Sequence, residues 1–432
     1  MQDLIGRVAA RMRAARGRGR GLAITALDIG TEYAKALVVT AAEAEDGTIE
    51  ARVRGAGRRR QGLAHMQSGT VSDIDAVVAN CAAALEEAAR MAGRRPSPTV
   101  IGIAGELVKG STSVVADHRD APRAPLDEAE LGRIVEHAQE RALEEAEAQI
   151  AWEAGVPRLD VRLVHAAITE IKIDGYAVTN PIGFTGAQVE LSLFNAFAPM
   201  VHLGALQSVA AALKLDLLGV IAEPYAVATC LDPGELGDTG AVFIDVGGGT
   251  TDVALVRKGG VAGTKMLALG GRAFTKGIAD RFGLGFERAE AVKLAIAERS
   301  DLPEPVDRDA VAAALAEDAA VWRRGVALMI DDLAAGELLP GRVLLCGGGS
   351  RLPQAVAALA DETWWRDLPF ARQPTVRSLG PGDVAGIGDA TGELGTEQDV
   401  TPLALAHQAL VLDVQATAAE RALRRAVRSL DL

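Results

Sequence analysis

Apolar residues along the chain fall into two rhythms. Residues 22–27 and 34–39 are short, densely apolar runs on either side of the turn Asp28-Ile29-Gly30-Thr31, which predicts two strands joined tightly. The same grammar returns in the second half. There, runs at 241–244 and 253–256 flank Asp245-Val246-Gly247-Gly248-Gly249-Thr250-Thr251-Asp252, so the chain reads as a duplicated unit. A third apolar strand, 343–346, runs into Gly347-Gly348-Gly349-Ser350. Between these runs the spacing lengthens to that of helices. Ile74, Val77, Val78, Cys81, Leu85 and Ala88 recur at i, i+3 and i+4, which predicts an amphipathic helix capped by Ser72 with Asp75 three residues on.

Composition narrows the class. A chain of 432 residues, 49% hydrophobic and 24% charged, can bury a large core and suggests two to four domains. Its three cysteines, Cys81, Cys230 and Cys346, are too scattered for a disulfide framework or a metal cluster and fit a reducing, cytosolic compartment. No apolar run approaches the roughly 18 residues of a membrane span, since the longest candidate, 203–220, is broken by Lys214 and Asp216. A net charge of −13 argues against nonspecific nucleic-acid binding.

Two segments depart from that average. Residues 1–20 hold Arg7, Arg11, Arg13, Arg16, Arg18 and Arg20 against Asp3, with Leu4, Ile5, Val8 and Met12 at helical spacing: a basic amphipathic segment without the uninterrupted apolar stretch of an export signal. Residues 126–150 hold eight acids and two arginines, which suits either a solvated helix face or an acidic docking surface.

The glycine turns are where chemistry is expected. A turn without Cβ atoms lets several backbone amides approach one phosphate. Asp-x-Gly-Thr adds a carboxylate that can hold Mg2+ through water and a hydroxyl that can hydrogen-bond phosphate. One such turn is no more than an ordinary strand connection; two, in opposed halves, point to phosphate.

With these residues the sequence resembles the actin, Hsp70 and sugar-kinase superfamily of ATPases. Asp28-Ile29-Gly30-Thr31 resembles its first phosphate loop, residues 245–250 its second, and Cys346-Gly347-Gly348-Gly349-Ser350 its adenosine motif. Ile221-Ala222-Glu223-Pro224-Tyr225-Ala226 resembles the connecting helix whose carboxylate positions water; read alone, Glu223-Pro224 is a helix start with a stabilising acid. Within that superfamily, residues 68–74, Gly102-Ile103-Ala104-Gly105-Glu106, Asn180-Pro181-Ile182-Gly183-Phe184 with Gly186, and Gly270-Gly271 resemble the bacterial division family FtsA, with the pilus-assembly relative PilM alongside. The resemblance spans about residues 22–412.

It implies an α/β actin-like fold: two ribonuclease H-like domains around a nucleotide cleft. A first subdomain would occupy 22–99, an FtsA-type inserted subdomain 100–199, the remaining actin-like parts 200–412, and a tail 413–432. Runs at 161–164 and 168–173 fit the inserted sheet, with Ala166 and Ala167 between them open to either reading. It also implies ATP and Mg2+ as ligands. Asp28 and Asp245 would organise the metal, with Glu223 and Asp245 as catalytic groups. Gly30, Thr31, Lys35, Gly247, Gly248, Gly249, Thr250 and Thr251 would surround the phosphates. Gly271 would border the nucleotide, and Glu290 and Lys293 would meet the ribose and base, although these two also read as a plain i, i+3 ion pair. Gly347, Gly348, Gly349 and Ser350 would border the adenosine. Glu32 departs from the family, standing near the phosphates where it needs to face away or meet Lys35. Gln354 stands where glycine is frequent. The tail offers Leu423, Val427 and Leu430 beside Arg421, Arg424, Arg425 and Arg428 as a short amphipathic candidate, which leaves the membrane anchor open between the N-terminal segment and the tail.

The function expected is a cytoplasmic, self-associating scaffold, gated by ATP and at most a slow ATPase. It would link the inner membrane face to a division or envelope-assembly partner. A PilM-like pilus protein and a small-molecule kinase are the alternatives, the kinase lacking an identifiable base aimed at a substrate.

Overall fold

The computed structural model describes residues 22–43, 49–96, 98–105, 108–153, 155–156, 159–237, 239–411 and 423. The basic segment 1–20 and, apart from Leu423, the tail from 413 lie outside the described residues.

The duplication read from the sequence becomes two sheets of like construction. In the first, β1 (Leu22–Ile29), β2 (Tyr33–Glu43) and β3 (Ile49–Arg60) form an antiparallel meander. Parallel strands β6 (Pro98–Ile103) and β11 (Asp216–Ala222) extend it beyond β1, and β17 (Ile387–Asp389) lies beside β3. In the second, β12 (Ala241–Val246), β13 (Thr251–Arg257) and β14 (Gly260–Leu267) repeat the meander, and β15 (Arg342–Cys346) and β16 (Thr375–Ser378) repeat the parallel extension. A small separate hairpin, β4 (Met66–Gln67) with β5 (Thr70–Val71), follows the first meander.

Helices separate and cover the sheets. The outer face of the first carries α1 (Ile74–Ala92) and α3 (Met200–Ala212), whose Val77, Cys81, Leu85, Leu206 and Val209 pack with Leu27, Ala36 and Val38. The α1 cap is Asp73, whose side chain accepts from the Ala76 amide, and not Ser72 as expected; Gly93 closes the helix in left-handed conformation. Between the sheets lie α4 (Glu223–Ala228) and α10 (Val400–Val411), sharing a core with Ile24, Ala26, Leu37, Phe243 and Leu344. Each fully buried side chain of the size of Phe243 or Leu405 contributes roughly 1.5–3 kcal/mol. After the one-turn α5 (Pro233–Leu236), the outer face of the second sheet is covered by α6 (Gly271–Phe282), α7 (Phe286–Glu298), α8 (Arg308–Ala334) and α9 (Pro353–Ala360) around Trp322.

The inserted unit comprises β7 (Lys109–His118), α2 (Glu128–Glu153), β8 (Val161–Ile173), β9 (Tyr176–Ala177) and β10 (Gln188–Pro199). The expected boundary at 100 shifts, because residues 98–103 are a strand of the first sheet. β8 is one continuous strand, and its pairing with β10 slips twice, passing over Val164 and Thr169. Strand β7 pairs with β14 through Gly263↔Ser111 and Thr264↔Gly110, so the inserted unit leaves the first half and hydrogen-bonds to the second. The second sheet thereby becomes nine-stranded, in the order β16-β15-β12-β13-β14-β7-β10-β8-β9. Among the described residues no helix is long and apolar enough to cross a membrane.

Candidate functional site

Strand alternation decides what faces the gap between the sheets. Leu22, Ile24 and Ala26 of β1 point into the core between the sheets, so Asp28, two residues on, points the same way beyond its edge. By the same period, Leu37 and Val39 place Lys35, Ala241 and Phe243 place Asp245, and Ala254 and Val256 place Asp252. Cross-strand register then sets the groups in rows. Asp28 is opposite Lys35 and Lys35 opposite Arg58, while Asp245 has Asp252 on one side and Cys346 on the other. The two turns close alike, with the Gly30 amide donating to Tyr33 O at 3.0 Å and the Gly247 amide to Thr250 O at 2.9 Å.

These elements enclose a cleft of about 270 Å³. Lys35 Nζ lies 3.0 Å from Asp28 Oδ2 and donates to Gln398 O at 2.8 Å. Burial alone would lower the Lys35 pKa, but the Asp28 carboxylate outweighs it and holds the ammonium above its ordinary value. Asp245 accepts from Thr401 Oγ1 at 2.5 Å, and Asp252 from Thr250 Oγ1 at 3.3 Å. Burial raises the Asp245 carboxyl despite Thr401 and Lys35. Burial and Asp245 together push Asp252 up to about 8. Glu223, at the start of α4, is raised well above the ordinary range by burial and by Asp28, Asp252 and Asp245. Four carboxyl groups thus crowd one end of the cleft, an arrangement that a cation would relieve. Among the described residues no three His, Cys, Asp or Glu side chains converge closely enough to hold a metal ion directly.

Most of the residues expected at the site line this cleft: Asp28, Gly30, Thr31, Lys35, Glu223, Asp245, Gly247, Gly248, Thr250, Gly271, Glu290, Lys293, Gly347, Gly348 and Gly349. Three others expected at the site do not line the cleft. Thr251 falls on the opposite face of β13, where its hydroxyl donates to Leu269 O and accepts from Trp322 Nε1. Ser350 is buried and turns its hydroxyl to Gly347 O at 2.8 Å. Gly249 packs against the facing turn, where a Cβ would lie 2.8 Å from Thr31 Oγ1. Glu290 and Lys293 form the i, i+3 ion pair at 2.7 Å, reinforced by Thr275, and still border the cleft. Gly347 has φ +83°, and a Cβ there would fall 2.1 Å from Asp245 Oδ1.

Glu32 meets Arg60 and Arg272, at 2.7 and 2.9 Å, in place of Lys35. The sequence reading also missed Arg58, Asp252, Gln398 and Thr401 in the cleft wall. Arg58 pairs with Asp399 at 2.7 Å and lies 5.7 Å above the Tyr33 ring. Only Asp252 had a local signal, its phase with Ala254 and Val256.

Comparison with known proteins bears on the whole arrangement. A family model described as cell division protein FtsA matches residues 242–385. The cell division protein FtsA of Pseudomonas aeruginosa is 28% identical over 382 residues, covering 83% of this chain and 85% of the relative. That of Neisseria meningitidis serogroup B is 24% identical over 410 residues, 90% and 91% of the two chains. Among solved structures, a chain of the PilM-PilN type IV pilus biogenesis complex aligns with a TM-score of 0.62 at 17% identity, over 90% of this chain and 99% of that one.

Proposed function

Because this chain is an FtsA-like protein of the actin-like ATPase superfamily, we propose that it binds Mg-ATP in the cleft and acts as a self-associating scaffold of cell division. In this reading it links the inner face of the membrane to a division partner. The observation that supports the reading most is the opposition of two like-closed turns, each bringing an aspartate and a glycine to one cleft between two sheets.

The crowded carboxyl groups suit a hydrated divalent ion. Bound Mg2+ would supply charge neutralisation for phosphate and for Asp28 and Asp245, which would hold it through water. Lys35 and those amides of the two turns not spent in closing them would bind phosphate oxygens, with Thr31 and Thr250 offering hydroxyls. Gly271, at the N-terminus of α6, adds the favourable end of a helix dipole. Glu290 and Lys293 would meet the ribose and base, and Gly347 to Gly349 would leave room for the adenosine. Glu223 would orient the attacking water, and turnover would be slow.

The test is ATP binding by titration calorimetry with and without Mg2+. A Cβ on Gly348 meets nothing closer than Gln398, at 3.8 Å. Gly348→Val should therefore fill the cleft and cut affinity at least tenfold, roughly 1.4 kcal/mol, while the melting temperature stays put. Unchanged ATP affinity in that variant, or no binding by the parent, would refute the nucleotide site.

A further inference from the structure

Glu32 follows the first turn directly, and Arg272 is the second residue of α6, on the opposite side of the cleft. Arg272 is fastened to both sides at once. Its amide donates to Gly248 O at 2.8 Å, on the second turn. Its guanidinium donates to Glu32 Oε2 at 2.9 Å and Thr31 O at 2.7 Å, on the first turn, and to Leu63 O and Met66 O at 3.2 and 3.4 Å just beyond. The side chains of Arg272 and Glu32 are only 17% and 15% exposed. Arg60 donates to the other Glu32 oxygen at 2.7 Å and reaches Glu287 of α7 at 2.6 Å, but Glu287 is 65% exposed and adds little. Beneath the pair the turns touch: a Cβ on Gly248 would lie 2.8 Å from Glu32 Cβ.

We infer that Glu32 and Arg272 form a clasp between the two turns that sets how fast nucleotide enters and leaves the cleft. The inference rests on the nucleotide reading proposed above, and it deepens that reading. To part the turns, one shielded ion pair and the arginine's carbonyl contacts must break together, which slows opening; a planar five-donor fork can span them where a lysine could not. The clasp also disposes of a charge problem. Glu32 lines the cleft, and an anion there repels phosphate unless Arg272 and Arg60 neutralise it.

The experiment uses the full chain and has two arms. In the first, dissociation of a fluorescent ATP analogue with Mg2+ is followed by stopped flow after chasing with ATP. Arg272→Ala should speed release about tenfold, since loss of closing contacts acts mainly on the off-rate. Arg60→Ala should do much less. Glu32→Gln should speed release in the parent, yet slow it when combined with Arg272→Ala, because the carboxylate, left with only the more exposed Arg60, is then mainly repulsive. Equal-signed effects of Glu32→Gln in both backgrounds, or unchanged rates, would overturn the clasp. The second arm is deuterium uptake by the nucleotide-free protein. Arg272→Ala should raise uptake in residues 28–36 and 246–252 together, and no rise there would also overturn it. Failure of the parent to bind the analogue would instead sink the nucleotide reading and leave the second arm to judge the clasp.

Discussion

His165 is a buried imidazole tilted 46° to the Tyr225 ring, centroids 4.4 Å apart, and its Nε2 has no hydrogen-bond partner among the described residues. Burial lowers its pKa from 6.5 to about 4, so the folded state holds it neutral. Between those values the unfolded chain binds more protons than the folded one, and stability must fall as pH drops from about 6.5 towards 4. The full effect of this one group is at most about 3 kcal/mol, at 1.36 kcal/mol per pKa unit. Melting curves across that range should therefore show a slope that His165→Phe flattens, with the two proteins diverging least above pH 7. An identical slope in both would mean that the imidazole titrates normally. At the same scale, Thr251 shows the limit of motif reading. It lies inside a phosphate-loop pattern, yet the period of β13 turns it onto Trp322 and leaves Asp252 facing the cleft.

Among the elements, α1 gives the sharpest discrimination between what the sequence suggested and what the structure shows. Both Ser72 and Asp73 are good capping residues, and the choice between them depends on where the preceding loop leaves the helix. The amides of Ser72 and Asp73 both donate to His65 O, which holds Ser72 in the loop and passes the cap to Asp73. Asp73→Ala should cost about 1 kcal/mol in denaturant unfolding, and Ser72→Ala close to nothing. The reverse order would return the cap to Ser72. β8 teaches a related lesson. Two extra residues along its pairing with β10 are absorbed as slips in register, so the apolar pattern looks interrupted although the strand is continuous.

For the whole molecule, the prediction concerns attachment to a membrane through residues 1–20, which lie outside the described residues. The proposal is that Leu4, Ile5, Val8 and Met12 enter lipid while the arginines meet anionic headgroups, each worth about 1 kcal/mol. Full-length protein should pellet with anionic vesicles and not with neutral ones, and raised salt should weaken the binding. A chain beginning at Gly21 should stay in the supernatant. Equal pelleting of the shortened chain would move the anchor elsewhere, with residues 420–432 next in line.

The sequence by itself determined the duplication, the three glycine-rich strand ends and the α/β character, because these depend on local period and on turn residues. The resemblance of its turns also pointed to Asp28, Lys35 and Asp245, which the structure brings to one cleft. Tertiary structure alone decided the rest of the cleft. Arg58 is there because β2 and β3 pair in a register that sets it opposite Lys35. Gln398 and Thr401 reach Lys35 and Asp245 from 363 and 156 residues away, at the entry to α10. Glu32 meets Arg272 only because two sheets, separated by a shared layer of helices, bring their turns into contact. No local pattern encodes such pairings: a side chain's charge is legible in one dimension, but its partner is chosen by how the sheets pack.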